Sequence, residues 1–230
     1  MKPDSRIPIH FGVNIILAPA PVVDRTAIVT FQNNLLDQGL EYDNIAKEES
    51  KVLVLREKPT PLQITVGQLN PPVGQLVIVS PNPGRPLDVF IDEAEAVARA
   101  FIQTWNHPYS IVGADTALRE LHETTSEHAF QEIWETRLLQ PPGALDAFQR
   151  PIRAGGLRFV LDPLPGDLNP TRIEVKIESF IQNTRKIFIE TLFFYLQPPP
   201  ETNFEIRQRL IETDSFVKNQ VVNFFKGENQ

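Results

Sequence analysis

Cysteine is absent from the 230 residues, methionine occurs once and histidine four times. Such a chain cannot build a disulfide framework, thiol chemistry or a cysteine-type zinc site. Basic runs are missing as well. The 22 lysines and arginines are scattered among 29 acidic residues, for a net charge of −7. A phosphate backbone would be repelled overall, so nucleic acid is not an expected partner. Arg185, Lys186, Phe188 and Phe194 do bring basic and aromatic groups close together, but the acidic balance argues against single-strand binding there.

Long apolar runs are also lacking. The longest, Ile187 to Leu196, falls well short of the roughly twenty residues that span a bilayer. Ile7 to Leu17 is broken by His10 and Asn14, unlike the apolar centre of a signal peptide. No membrane association and a cytoplasmic location are therefore expected. What is present is ordinary globular material: 41% hydrophobic and 22% charged residues, with 21 prolines against 11 glycines.

Periodicity predicts alternating strands and helices. Ile7 to Leu17 reads as a strand. Asp24 caps a helix carrying Phe31 and Leu35, and Gly39 stops it. Lys51 to Arg56, Leu62 to Val66 and Gln75 to Ser80 read as strands, the last two separated by Pro71, Pro72 and Gly74 in a wide or bulged hairpin. Asp92 is expected to cap a helix through Trp105 that ends at Asn106, His107 and Pro108. Tyr109 to Val112 reads as a short strand, while Ala114 to Leu121 fits strand or helix. Ser126 is expected to cap the helix of Phe130, Ile133 and Trp134. Leu157 to Leu161 is a strand. Ile173, Val175 and Ile177 alternate with charged residues, Asn183 to Arg185 turns, and Ile187 to Leu196 returns, ended by Pro198 to Pro200. The return strand is apolar on both sides, which predicts cover on both faces, at least near its end. A final helix is expected from about Asp214, with Val217, Val221, Phe224 and Phe225 inward.

The fold class expected is α+β, with mixed or antiparallel sheets and helices on one face. Two similar halves of βαββα type are expected, an N-terminal one at residues 1–107 and a C-terminal one at 108–230, packed as one unit. At a shift of 120, Phe90-Ile91-Asp92 lies over Leu210-Ile211-Glu212, and Val97, Phe101, Ile102 and Trp105 over Val217, Val221, Val222 and Phe225. The halves carry net charges of −3 (9 basic, 12 acidic) and −4 (13 basic, 17 acidic), so neither is a basic module.

Catalytic signatures are scarce. His122 and His128 are six apart, which on a helix turns their side chains to opposed faces, so they read as exposed residues of a capping region rather than ligands. No Gly-x-Ser-x-Gly or phosphate loop occurs. Asp162, Asp167 and Glu174 read as turn and surface carboxylates. The most site-like cluster is Arg150, Arg153 and Arg158 around Gly155 and Gly156, a candidate anion site. Phe188, Phe193, Phe194 and Tyr195 are candidate interface residues, since exposed apolar strips mark partner surfaces. Two readings follow. The preferred one is a non-enzymatic protein-interaction module, a homodimer through the Ile173–Leu196 hairpin or its flanking helix. The alternative is an enzyme or binding protein for a small anion held by the arginines. Neither calls for a cofactor.

Overall fold

The computed structural model of the chain describes residues 1–226 apart from 3, 107, 168 and 197–203. His107 and Pro198 to Pro200, expected to end a helix and a strand, lie outside the described residues.

Strict alternation makes β1 (Ile7–Ala18) a strand with two unlike sides. Phe11, Val13, Ile15 and Leu17 are buried, with His10, Asn14 and Ile16 between them on the other side. The chain then forms α1 (Arg25–Asp37), β2 (Asn44–Glu48), β3 (Lys51–Arg56), β4 (Leu62–Asn70), β5 (Val73–Pro81) and α2 (Leu87–Thr104). It continues with β6 (Ser110–Glu123), α3 (Ala129–Gln131), β7 (Gly156–Leu161), β8 (Thr171–Ser179), β9 (Lys186–Tyr195), α4 (Ile206–Phe216) and α5 (Val222–Lys226). The nine strands of the described residues form one antiparallel sheet in the order β2-β3-β4-β5-β1-β6-β9-β8-β7. The architecture is α+β with the helices on one face, as the sequence predicts.

Local chemistry explains the ends of α1. Asp24 accepts a hydrogen bond from the Ala27 N–H at 2.8 Å, and Gly39 takes the left-handed conformation (φ +75°) that stops the helix. Other boundaries correct the sequence reading. Asp92 caps nothing: α2 begins at Leu87, behind Pro86, because Phe90 and Ile91 already belong to its buried stripe. Asp92 instead pairs with Arg207. The final helix begins at Ile206 rather than Asp214, since Ile206, Leu210 and Thr213 are buried ahead of Val217. Ser126 is not the cap either. Thr124 and Thr125 bind the buried Glu132 carboxylate at 2.5 and 2.7 Å. The Met1 ammonium also donates to that carboxylate. The helix therefore starts later, at His128, whose Nδ1 accepts from the Phe130 N–H. Tyr109–Val112 and Ala114–Leu121, read as separate pieces, join into β6, and β2 was not anticipated.

Helices α1, α2 and α4 pack side by side under the sheet. Phe101 is the aromatic hub, its ring centroid 5.1 Å from Trp105, 5.6 Å from Tyr109 and 5.9 Å from Phe204. Among the described residues the outer face of the sheet has no helix, so cover on both faces of β9, expected at least near its end, is seen there on one face.

Phe101→Ala should destabilise the fold by about 3–5 kcal/mol, because a fully buried ring leaves a cavity between two helices and the sheet. Urea denaturation reads this directly, and a loss below about 1 kcal/mol would contradict a hub role.

Candidate functional site

The loop before β7 carries the predicted anion cluster. Arg158 donates to Glu174 Oε2 at 2.6 Å on the helix-free face, Arg153 donates to the Ile181 carbonyl at 3.3 Å, and Arg150 is exposed. The three guanidinium groups share no partner among the described residues. Packing accounts for the two glycines: a Cβ on Gly155 would lie 2.5 Å from the Phe130 ring, and one on Gly156 would lie 2.2 Å from the Ile177 carbonyl oxygen.

The period of two in β9 splits the predicted aromatic strip. Phe193 and Tyr195 turn inward and are buried, Phe193 edge-on to Phe216 at 5.3 Å. Phe188 and Phe194 turn outward. Arg172 lies 4.7 Å over the Phe194 ring and Lys176 lies 5.8 Å over Phe188. The outward pair therefore belongs to a half-polar surface.

Across the outer face, the seam between β1 and β6 brings titratable groups together. Asn14 donates to Asp115 Oδ2 at 2.8 Å, and Arg119 donates to Glu190 Oε1 at 2.5 Å. Burial raises the Asp115 pKa, with Asn14 opposing the shift. His10, opposite Arg119 in the register, is pushed down to about 4 by burial and then by the Arg119 charge. It remains neutral at ordinary pH.

Two further features were missed in the sequence. The first is the outer edge of β7, the last strand of the sheet among the described residues, where Phe159, Val160 and Leu161 are 37%, 54% and 41% exposed and the Phe159 ring meets Phe224 edge-on at 5.6 Å. The second is a cleft of about 940 Å³ at the start of α4, bordered by α2, the turn before β8 and the end of β9. Arg209, only 3% exposed, lies in its wall. Its guanidinium sits 4.5 Å over the Tyr195 ring, with Nη2 3.4 Å from Glu205. Arg209 Nε and Nη1 are buried with no hydrogen-bond partner. The Tyr195 hydroxyl lies 3.2 Å from the Arg209 carbonyl and 3.3 Å from Glu212. Its pKa is raised by burial and then by the Glu212 charge. The signal for Arg209 was its place three residues from Ile206 and four from Thr213, inside the buried stripe.

The histidine pair resolves into two unrelated roles. His128 caps α3. His122 is buried, contrary to the exposed position expected, and meets Glu120 at 2.6 Å. Arg6 joins that carboxylate to Asp214. Among the described residues no group of three His, Asp or Glu could hold a metal ion, and no helix is long and apolar enough to cross a membrane.

No protein-family model matches the chain, and no curated protein matches it. Among solved structures, the di-domain ARO/CYC StfQ from the steffimycin biosynthetic pathway aligns over 93% of this chain and 94% of its own, at 9% identity and a TM-score of 0.20. A likeness at that level carries no functional argument.

His10 gives a signed pH prediction. Its folded-state pKa is depressed, so below 6.5 the unfolded chain takes up a proton that the folded one refuses until about 4. Stability contributed by the neutral ring is present above that window and lost as pH falls through it. His10→Gln should flatten this fall in urea midpoints. Equal slopes in the two proteins would show that His10 is not the group responsible.

Proposed function

We propose that the chain is a non-enzymatic protein-interaction module that self-associates, two copies joining edge to edge through β7. The observation that carries this reading is the outer edge of that strand, which pairs with no further strand among the described residues. Sheet edges in free proteins are protected by charge, proline or a covering element, because unpaired N–H and C=O groups recruit other strands. The opposite edge, β2, has exposed Lys47 and Glu48. β7 has one charge, Arg158, and Glu174 neutralises it. Two copies therefore meet without an unpaired charge, although each chain carries −7. Antiparallel pairing of β7 with itself is an isologous contact, the usual geometry of a dimer. The absence of cysteine fits a cytoplasmic setting.

In this reading the halves are also copies of one unit. Walking outward from the seam gives β1-β5-β4-β3 on one side and β6-β9-β8-β7 on the other, so β7 has the place of β3, beyond which β2 lies. At the shift of 120, buried Phe90, Val97, Phe101 and Trp105 fall on buried Leu210, Val217, Val221 and Phe225, whereas exposed Ile102 falls on buried Val222 and buried Ile91 on exposed Ile211. The four matches support the duplication, and the two mismatches weigh against it. On this view a second copy of the chain occupies the place that β2 fills in the first half.

Analytical ultracentrifugation tests the dimer. The unmodified chain should sediment as a dimer at micromolar concentration. Val160→Lys should return it to monomer while changing the unfolding free energy by no more than about 0.5 kcal/mol, as for a surface substitution. A monomeric unmodified chain, or a dimer indifferent to Val160→Lys, refutes the proposal.

A further inference from the structure

We infer that the cleft at the start of α4 binds a small organic monocarboxylate, its carboxylate on Arg209 and its apolar body along the cleft wall. Burying a guanidinium is costly unless its N–H groups find acceptors. Arginine has five N–H donors. In Arg209 the one on Nε and the two on Nη1 have none, and the nearest carboxylate, Glu205, is a long 3.4 Å from Nη2. The Tyr195 ring covers the flat face of the group at 4.5 Å and leaves its donors unsatisfied. A buried, fixed and under-bonded cation in the wall of a cleft is what a carboxylate ligand completes.

The rest of the lining narrows the ligand class. Arg207, the neighbouring cation, is already committed to Asp92 and Glu95 at 2.6 and 2.7 Å, and Arg99 Nε donates to Gln38. Glu95, Glu205 and Glu212 also border the cleft. Three arginines and three glutamates balance in the lining, so a polyanion such as a nucleotide meets no net positive charge. A single negative charge on an apolar body meets Arg209 together with Ala98, Ile102, Phe204, Ile206 and Ile211. The volume, about 940 Å³, is within the range of clefts that take small organic ligands.

The test is isothermal calorimetry of the full chain with sodium benzoate, sodium decanoate and inorganic phosphate at millimolar concentration. At least one of the two carboxylates should bind, and phosphate should not. Arg209→Gln should weaken carboxylate binding at least about tenfold, the loss of one charge-assisted contact. Asn169→Trp, an exposed position on the cleft rim, should weaken it by filling space while the unfolding midpoint stays unchanged. The inference is overturned if neither carboxylate binds, if phosphate binds as tightly, or if folded Arg209→Gln binds as the parent does. Should Arg209→Gln fail to fold, unchanged affinity in Asn169→Trp overturns it. The dimer can fail without touching this result, since β7 is no part of the cleft.

Discussion

β1 and β6 pair along their whole length, from Ile7 opposite Leu121 to Ala18 opposite Ser110, and this ladder fuses two half-sheets into one. Every other placement follows from its register. Phe11 opposite Leu118, Val13 opposite Thr116 and Ile15 opposite Ala114 put the apolar side of both strands under the helices. A slip by one residue would send those side chains outward and bring His10, Asn14 and Asp115 into the core. The same register sets the outer-face polar groups side by side, which is why burial there acts on His10 and Asp115 together.

Elements with a clean period or a defined cap were legible. Asp24 and Gly39 bound α1 for reasons visible in their side chains, and the alternation from Ile173 to Ile177 needs no tertiary information. Two misplaced boundaries share a cause. Asp92 and Asp214 are good cap residues by type, but each pairs with arginine and sits within a stripe that starts earlier, whereas the helix expected behind Ser126 starts later, at His128. Asp214 accepts from Arg6 and Lys218, and Asp92 accepts from Arg207. A cap preference is weaker than burial of Phe90 or Ile206, so the helices extend past it. The strand β2 escaped because a short charged edge has no apolar period to read.

The candidate sites were less legible than the fold, because proximity along the chain is a poor guide within a strand. Phe193 and Phe194 are adjacent in sequence and lie on opposite faces of the sheet. Arg153 and Arg158 are five apart and find different partners. Arg209 has the opposite character: alone in sequence, it becomes distinctive only when the helix turns it beneath the surface against Tyr195. Clustering by sequence therefore favoured groups that the fold separates and passed over one that it isolates.

Buried polarity is unevenly divided between residues 1–107 and 108–230. In the first half the buried polar side chains are Arg56 and Ser80, and both are bonded: Arg56 to Thr60 and Glu93, Ser80 to the Pro61 carbonyl. The second half buries Thr116, Glu120, His122, Thr191, Arg209 and Thr213, among others. Among the described residues, His122 Nδ1, Arg137 Nε, Arg172 Nε, Thr191 Oγ1 and two nitrogens of Arg209 are buried without partners there, against Asn14 Oδ1 and Arg85 Nε in the first half. Each unmet group costs about 1–3 kcal/mol against an apolar replacement of the same shape. A chain built for stability alone would fill those positions as the first half does, with Val52, Ile64, Leu76 and Ile78. Residues 1–107 thus bury few unmet polar groups, and the residues beyond accept more of them, two on Arg209 in the wall of the cleft.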